Sequence, residues 1–327
     1  MSETAIYFTS FLAALIPTLI YCAVIYWADR YEKEPWWLLT AAFLWGAIPS
    51  IIIALIFNTV LSIPIYAIAG DAAGSALSAS FIGPPVEESI KGLALLGIFA
   101  LWRHEIDSIL DGIIYGAMVG MGFAMVENLF YFITTFQESG VDAWQANIFL
   151  RAFIFGLNHA LFSAMTGLGI AISRMSANPV TSFLAPIGGW ATAVFLHFVH
   201  NASVSISPLL CLVALISDWG GVLFTIAIII WAVQQEQKWM RTYLAEEVAQ
   251  ETISQTQYNT ICSGRLRRIA KYNILFSQGI GAYRRAARFY QKCSELAYKK
   301  HHHTLFGDTK DQAAIAQLRQ EIRGMTG

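Results

Sequence analysis

The sequence predicts an all-α, polytopic transmembrane bundle of about seven spans, followed by a basic helical tail. Composition is the first observation behind this. Of 327 residues, 56% are hydrophobic and only 13% charged, whereas soluble domains carry roughly 45–50% apolar and about 25% charged residues. The mean hydropathy is +0.52. Second, the apolar residues fall in runs of the length that crosses a hydrocarbon core, about 20 residues. Third, charge is divided: residues 1–233 carry 6 Lys and Arg against 14 Asp and Glu, and residues 234–327 carry 15 against 8. A membrane-embedded domain over 1–233 and a basic, helical, cytoplasmic tail over 234–327 follow. An ordinary soluble enzyme and a disordered chain are excluded.

The expected spans are 6–27, 36–57, 85–102, 112–136, 150–173, 183–206 and 208–232. The third is the weakest, because two carboxylates open it. Pro17, Gly46, Pro49 and Gly120 lie inside spans, which is tolerated where neighbouring helices satisfy the backbone. The run at 6–27 has no basic segment ahead of it and is expected to be retained as a span. Arg30 and Lys33 follow the first span, Arg103 the third, Arg174 the fifth, and the basic tail the seventh. Residues 58–84 and 137–149 hold no Lys or Arg; Arg151 alone dissents. The positive-inside rule therefore puts the N-terminus outside and the C-terminus in the cytoplasm. Cys22, Cys211, Cys262 and Cys293 show neither disulfide nor zinc-ribbon spacing.

Ionisable groups inside hydrocarbon cost roughly 2.5–3.5 kcal/mol each on insertion scales and mark function by default. The membrane domain holds Glu87, Glu88, Lys91, Glu127, His159, His197 and His200. On the spans above, Glu127, His159 and His197 share one depth about nine residues from the outer end, which argues for one pocket. Gly83-Pro84-Pro85-Val86-Glu87-Glu88 reads as a helix start with carboxylates at the positive end of the dipole. Glu87 and Lys91 are four apart and can pair, and His197 and Asn201 share one helix face. That face offers donors of the kind that hold an oxyanion; interhelical hydrogen bonding would place the same residues there. Gly112, Gly116, Gly120 and Ala124 form a small-residue ridge suited to close helix approach.

Glu-Glu-x-x-Lys at 87–91, Phe-x-x-x-His at 155–159 and His-x-x-x-Asn at 197–201 resemble the PrsW proteases of the CAAX-prenyl-protease-like superfamily. Asp29-Arg30-Tyr31-Glu32-Lys33-Glu34-Pro35 and Gly122-Phe123-Ala124-Met125-Val126-Glu127-Asn128 are similar to the same family. Lys91 stands one residue earlier than the Arg of the prenyl-protease arm, so no CAAX substrate is implied. The resemblance implies an intramembrane endopeptidase of glutamic type, acting on a membrane-associated protein such as a single-span regulator. It implies that Glu87 activates water with help from His159, that His197 and Asn201 stabilise the oxyanion, and that Glu88 supports them.

No cofactor is expected on this reading. The mechanistic rival is a zinc enzyme using Glu127, His159, His197 and His200. A proton-coupled transporter using the same buried Glu and His residues is the rival from another class, although no internal repeat supports it. Expected partners are a membrane protein substrate and the bilayer, not nucleic acid, in a bacterial plasma membrane. Spacing of apolar residues between Leu266 and Ile280, with Arg and Lys interleaved, predicts a helical hairpin beside the membrane. His301-His302-His303 is expected to be a solvated loop.

Overall fold

The computed structural model describes residues 2–326, and among them every regular element is helical. In chain order the α-helices are α1 (Glu3–Ala28), α2 (Trp36–Trp45), α3 (Ile51–Leu77), α4 (Gly83–Leu101), α5 (Ile109–Phe149) and α6 (Asn158–Met175). They continue with α7 (Pro179–Ile206), α8 (Cys211–Ala249), α9 (Gln255–Ile261), α10 (Gly264–Phe306) and α11 (Thr309–Thr326). Five continuous stretches are long and apolar enough to cross a membrane: Glu3–Ala28, Trp36–Leu101, Ile109–Met175, Pro179–Ile206 and Cys211–Ala249. The protein is a multi-pass membrane protein.

Two of those stretches, of 66 and 67 residues, are far longer than one crossing. Each folds back at a glycine whose positive φ suits a residue without Cβ: Gly70 at 73° and Gly140 at 79°. Register shows the reversal. Around Gly140, Asn147 bonds to Thr135 and Arg151 to Asn128, and further along Gly116 abuts Ser163 and Gly112 abuts Gly167. Each step forward on one arm is a step back on the other. Around Gly70, Tyr66 lies against Gly74 and Trp45 Nε1 donates to the Ile90 carbonyl at 3.0 Å. Counting each hairpin as two arms gives seven passes.

The third expected span begins too late. Gly83-Pro84-Pro85 does open α4, but the helical path already enters it from Gly70 through α3 and a π-turn, so this start continues an existing arm. Pro84 has no N–H, and the chain answers with a π-turn at Ser78–Ile82 in which Gly83 N–H bonds to Ser78 O. The fifth expected span, likewise, is broken. A π-turn at Leu150–Ile154 leads into an irregular Phe155–Leu157, and α6 restarts at Asn158. A third π-turn, Gly46–Ser50, holds Pro49. In hydrocarbon every released carbonyl needs a donor. Asn201 Nδ2 reaches Ala79 O at 2.8 Å, Tyr21 Oη reaches Ala152 O at 3.1 Å, and Trp219 Nε1 reaches Ile154 O at 3.1 Å.

The chain separates into two compact units. The first runs to Ile228 but leaves out Asp29–Lys33, which belong with Ile229 and the chain beyond it. The first unit is centred on α5, whose ridge of glycines meets α6 so closely that a methyl at Gly120 would strike the His159 carbonyl. The second unit has its own core, including Met240, Leu244, Ile261, Cys293, Leu296 and Ile322. There buried Arg267 donates to Tyr31 O and Ser294 Oγ, each at 3.0 Å. Burial pushes the Cys262 thiol up to about 11 and the Cys293 thiol to about 12, so both stay protonated at neutral pH. His301–His303 are not a loop but part of α10: His301 stacks on Trp239 at 4.0 Å and His302 Nδ1 meets Asp311 at 2.6 Å.

Candidate active site

Five helices bring the polar residues of the membrane unit to one place. α4 supplies Glu87, Glu88 and Lys91 on successive positions of one turn. Glu88 and Lys91 are fully buried, and Lys91 Nζ lies 2.8 Å from Glu88 Oε1 but 3.8 Å from Glu87 Oε2. The sequence spacing favoured Glu87 as the partner; the residue three apart wins, because the Glu88 side chain turns into the bundle with the ammonium. Glu88 also receives His197 Nδ1 at 3.0 Å from α7 and Ser163 Oγ at 3.1 Å from α6. Its oxygens are spent on fixing the site.

Glu87 differs. Its Oε1 accepts from Asn58 Nδ2 of α3 at 3.3 Å, and its Oε2 is buried without a hydrogen-bond partner. His197 Nε2 lies 3.9 Å from that free oxygen. Glu87 also lines a cavity of about 1260 Å³ together with Asn58, Glu127, His159, His200 and Asn201. Gly83 lines the same cavity beside Glu87 and Asn201.

His159 joins the two sides of the cavity. Its Nδ1 is 3.1 Å from Lys91 Nζ and its Nε2 is 2.9 Å from Glu127 Oε2. An ammonium can only donate, so Nδ1 accepts and Nε2–H points at Glu127. Arg151, the dissenter in the charge pattern, closes the chain: it pairs with Glu127 and donates through Nε to Asn128 Oδ1 at 2.8 Å. Its cation is there to match an acid, not to report orientation. The run of contacts is thus Arg151, Glu127, His159, Lys91, Glu88, His197.

All five expected site residues therefore meet. Thirteen residues separate Glu127 from the turn at Gly140, about 20 Å of helix at 1.5 Å per residue, and 17 residues separate Glu87 from Gly70. The expected metal set is redistributed. Glu127 is held by Arg151, and His200 Nδ1 sits 2.7 Å from Asp218 Oδ2 with Asn158 Nδ2 at 3.0 Å. The three residues whose donor atoms all lie within 4.8 Å of one another are Glu87, His159 and His197. Asp218 escaped the sequence reading although it is the only carboxylate of the seventh apolar run; that isolation was the usable signal. Asn58 gave no such signal, being neutral.

Residues 34–240 match the profile of a family described as PrsW family intramembrane metalloprotease. The chain belongs to the PrsW family. Among curated relatives, a Protease PrsW of Clostridioides difficile is 34% identical over 169 residues, covering 51% of this chain and 67% of the relative. Those of Geobacillus kaustophilus and Bacillus subtilis are 27% identical over 195 residues and 29% over 168. They cover 59% and 51% of this chain, and 77% and 69% of the relatives. No solved structure gives a significant match. PrsW membership makes this an intramembrane protease, a hydrolase rather than a carrier, and the π-turns, the cavity and every residue of the contact chain fall inside the matched span.

Proposed function

We propose that the protein hydrolyses a peptide bond of a membrane-anchored protein, with Glu87 taking the proton of the attacking water. One observation carries this: of two adjacent buried carboxylates, only Glu87 has an unpaired oxygen and only Glu87 faces the cavity. A general base must lie within hydrogen-bond reach of its proton, and Glu88, with both oxygens engaged, has no room for it. Lys91 Nζ lies 3.8 Å from Glu87 Oε2, and its own position is set by Glu88 and His159. With Nδ1–H held by Glu88, His197 has its Nε2 3.9 Å from Glu87 Oε2 and donates to the oxyanion once it has taken on the proton that Glu87 removes from water. The second amide hydrogen of Asn201, which lines the cavity and whose first is spent on Ala79 O, is the other donor. His159 has no free nitrogen and acts through Lys91 and Glu127. The polar lining of the cavity suits the water that peptide hydrolysis consumes.

A specific observation favours a second reading. Glu87, His159 and His197 form a donor set of two imidazoles and one carboxylate, a composition that suits catalytic zinc, and the family description names a metal. Such an ion, held by those three residues, would polarise the carbonyl and acidify water. Against it, the Lys91 ammonium sits among the same three side chains, and both ring nitrogens of His159 are already engaged. We favour the glutamic reading on that ground.

The test uses full-length protein in nanodiscs with a tagged single-span reporter. Cleavage by wild type should persist after dialysis against a strong chelator and vanish in Glu87→Gln. Activity lost to the chelator and restored by stoichiometric zinc would move the mechanism to metal. Cleavage surviving Glu87→Gln under both conditions would remove Glu87 from the chemistry. The cytoplasmic placement of the C-terminus belongs to the same proposal and is argued below.

A further inference from the structure

From Thr252 to Ser294 the chain carries eight Lys and Arg and no Asp or Glu. This segment is the first two-thirds of α10 with the turn of α9 before it. α10 reverses at Gly279, where φ is 80°, and the pairing of Arg267 with Ser294 and its approach to the Tyr290 ring show the two arms side by side. One side of the hairpin is packed: Ala282, Tyr290 and Cys293 are buried in the unit's core. The other is not. Leu266, Ile269, Tyr272, Phe276 and Ile280 follow one another at intervals of three or four residues, and all are exposed. Phe276, beside the turn, is 85% exposed, an unusual state for a phenylalanine. The exposed side chains of Arg265, Arg284, Arg285 and Arg288 accompany this stripe on the two arms.

We propose that this hairpin docks on an anionic phospholipid surface, with Phe276 and Ile280 at the turn entering the headgroup region and the arginines meeting lipid phosphates. An apolar stripe bordered only by cations is the pattern of an interfacial helix. An anionic leaflet attracts each Lys and Arg held near it, and an acid-free segment of 43 residues carries no side-chain carboxylate for the surface to repel. Tethering also favours lipid over other polyanions. The unit is continuous through α8 with a membrane-crossing stretch, so a bilayer is always within reach. Leu266, Ile269 and Ile280 give this face aliphatic side chains that suit a lipid interface, beside the aromatic Tyr272 and Phe276. The proposal does not depend on the protease mechanism.

The experiment labels Phe276→Cys in the full-length protein with a membrane-impermeant maleimide, in nanodiscs of either zwitterionic lipid alone or the same lipid with about a third anionic phospholipid, the kind of surface that attracts basic segments. Wild-type protein gives the background from native cysteines, and Gln317→Cys, exposed on α11, is the control position. The expected result is labelling of position 276 at least about tenfold slower in anionic discs, with position 317 unchanged, and restoration of fast labelling by Arg284→Glu/Arg285→Glu/Arg288→Glu. Such a factor corresponds to roughly 1.4 kcal/mol of protection. Equal labelling in both lipids would overturn the proposal. So would protection that appears in zwitterionic discs only on adding a single-stranded RNA, which would assign the face to nucleic acid. Loss of the helical signature in the triple variant is covered by the first comparison, which uses only the single cysteine.

Discussion

At the scale of single residues, Glu87 and Glu88 show how one residue type divides into two roles by the direction of a side chain. Glu88 is wholly buried and bonded to Lys91, His197 and Ser163, while Glu87 keeps a free oxygen toward the cavity. Their substitutions should therefore fail differently. Glu88→Ala leaves the Lys91 ammonium buried without its carboxylate, which costs about 3–5 kcal/mol when one member of a buried pair is removed. The melting temperature should fall by several degrees, with activity lost alongside. Glu87→Gln keeps the shape and the bond from Asn58, so the melting temperature should stay put while kcat drops by about 10²–10⁴, the range for a general base. A thermal melt in detergent beside the reporter assay checks both; equal destabilisation by the two changes would contradict the division. Arg151 offers a sharper test of the contact chain. Its guanidinium spans Asn128 and Glu127 from two different nitrogens, a fork that lysine cannot reproduce. Arg151→Lys should lower kcat by roughly tenfold or more while leaving the reporter's KM unchanged, because the residue acts on Glu127 and His159. A pure KM effect would make it a substrate-binding residue instead.

Elements decide whether those residues meet, and here the sequence was legible to different depths. The ridge Gly112, Gly116, Gly120 was readable as a packing face because small residues at intervals of four can have little other use in a span. The structure adds what the pattern could not say: which helix comes down on it, and that Gly120 faces the backbone of His159 itself. Gly120→Ala should push α6 outward and displace His159, and a 1 Å misplacement can cost about 10²-fold in rate. Gly97, inside α4 with open space around it, provides the control, since Gly97→Ala should leave the rate unchanged and, if anything, stabilise the helix. A rate for Gly120→Ala within twofold of wild type would mean that α6 absorbs the methyl elsewhere. The breaks between spans at 58–84 and 137–149 were legible; that the chain stays helical through each and turns at a single positive-φ glycine, Gly70 or Gly140, was not. Pro84 and Pro85 carried two meanings, helix start and helix interruption. Composition cannot choose between them, because the deciding fact is the side chain of Asn201, 122 residues away, taking up the released Ala79 carbonyl. A motif scan finds such an asparagine as chemistry and misses that it is also a structural donor.

For the whole molecule, the remaining question is which way the bundle crosses the membrane, and the helix register narrows it to a choice between two. Trp37 at the start of α2 meets Trp102 at the end of α4, and Arg174 at the end of α6 donates to the Arg103 carbonyl, so these ends share one face. Tyr7 near the start of α1 bonds to Gln137 beside the Gly140 turn, which places those on the other. The first face carries Arg103 and Arg174; the second, through the turns at Gly70 and Gly140, carries Asp71, Glu138 and Asp142 and no Lys or Arg. Arg151, the apparent exception, is explained by its pairing with Glu127 inside the unit. With that removed, the positive-inside rule supports the proposed placement of the Arg103–Arg174 face in the cytoplasm. In intact bacterial cells an impermeant maleimide should label Asp71→Cys and Asp142→Cys, both exposed positions, in a Cys211→Ala background. Asn178→Cys, exposed at the opposite turn, should label only after permeabilisation. The reverse pattern would turn the cavity's access toward the cytoplasm and move the substrate's cleaved segment to the other leaflet. Labelling of all three from outside would break the alternation that the two glycine hairpins impose, and with it the seven-pass reading of the fold.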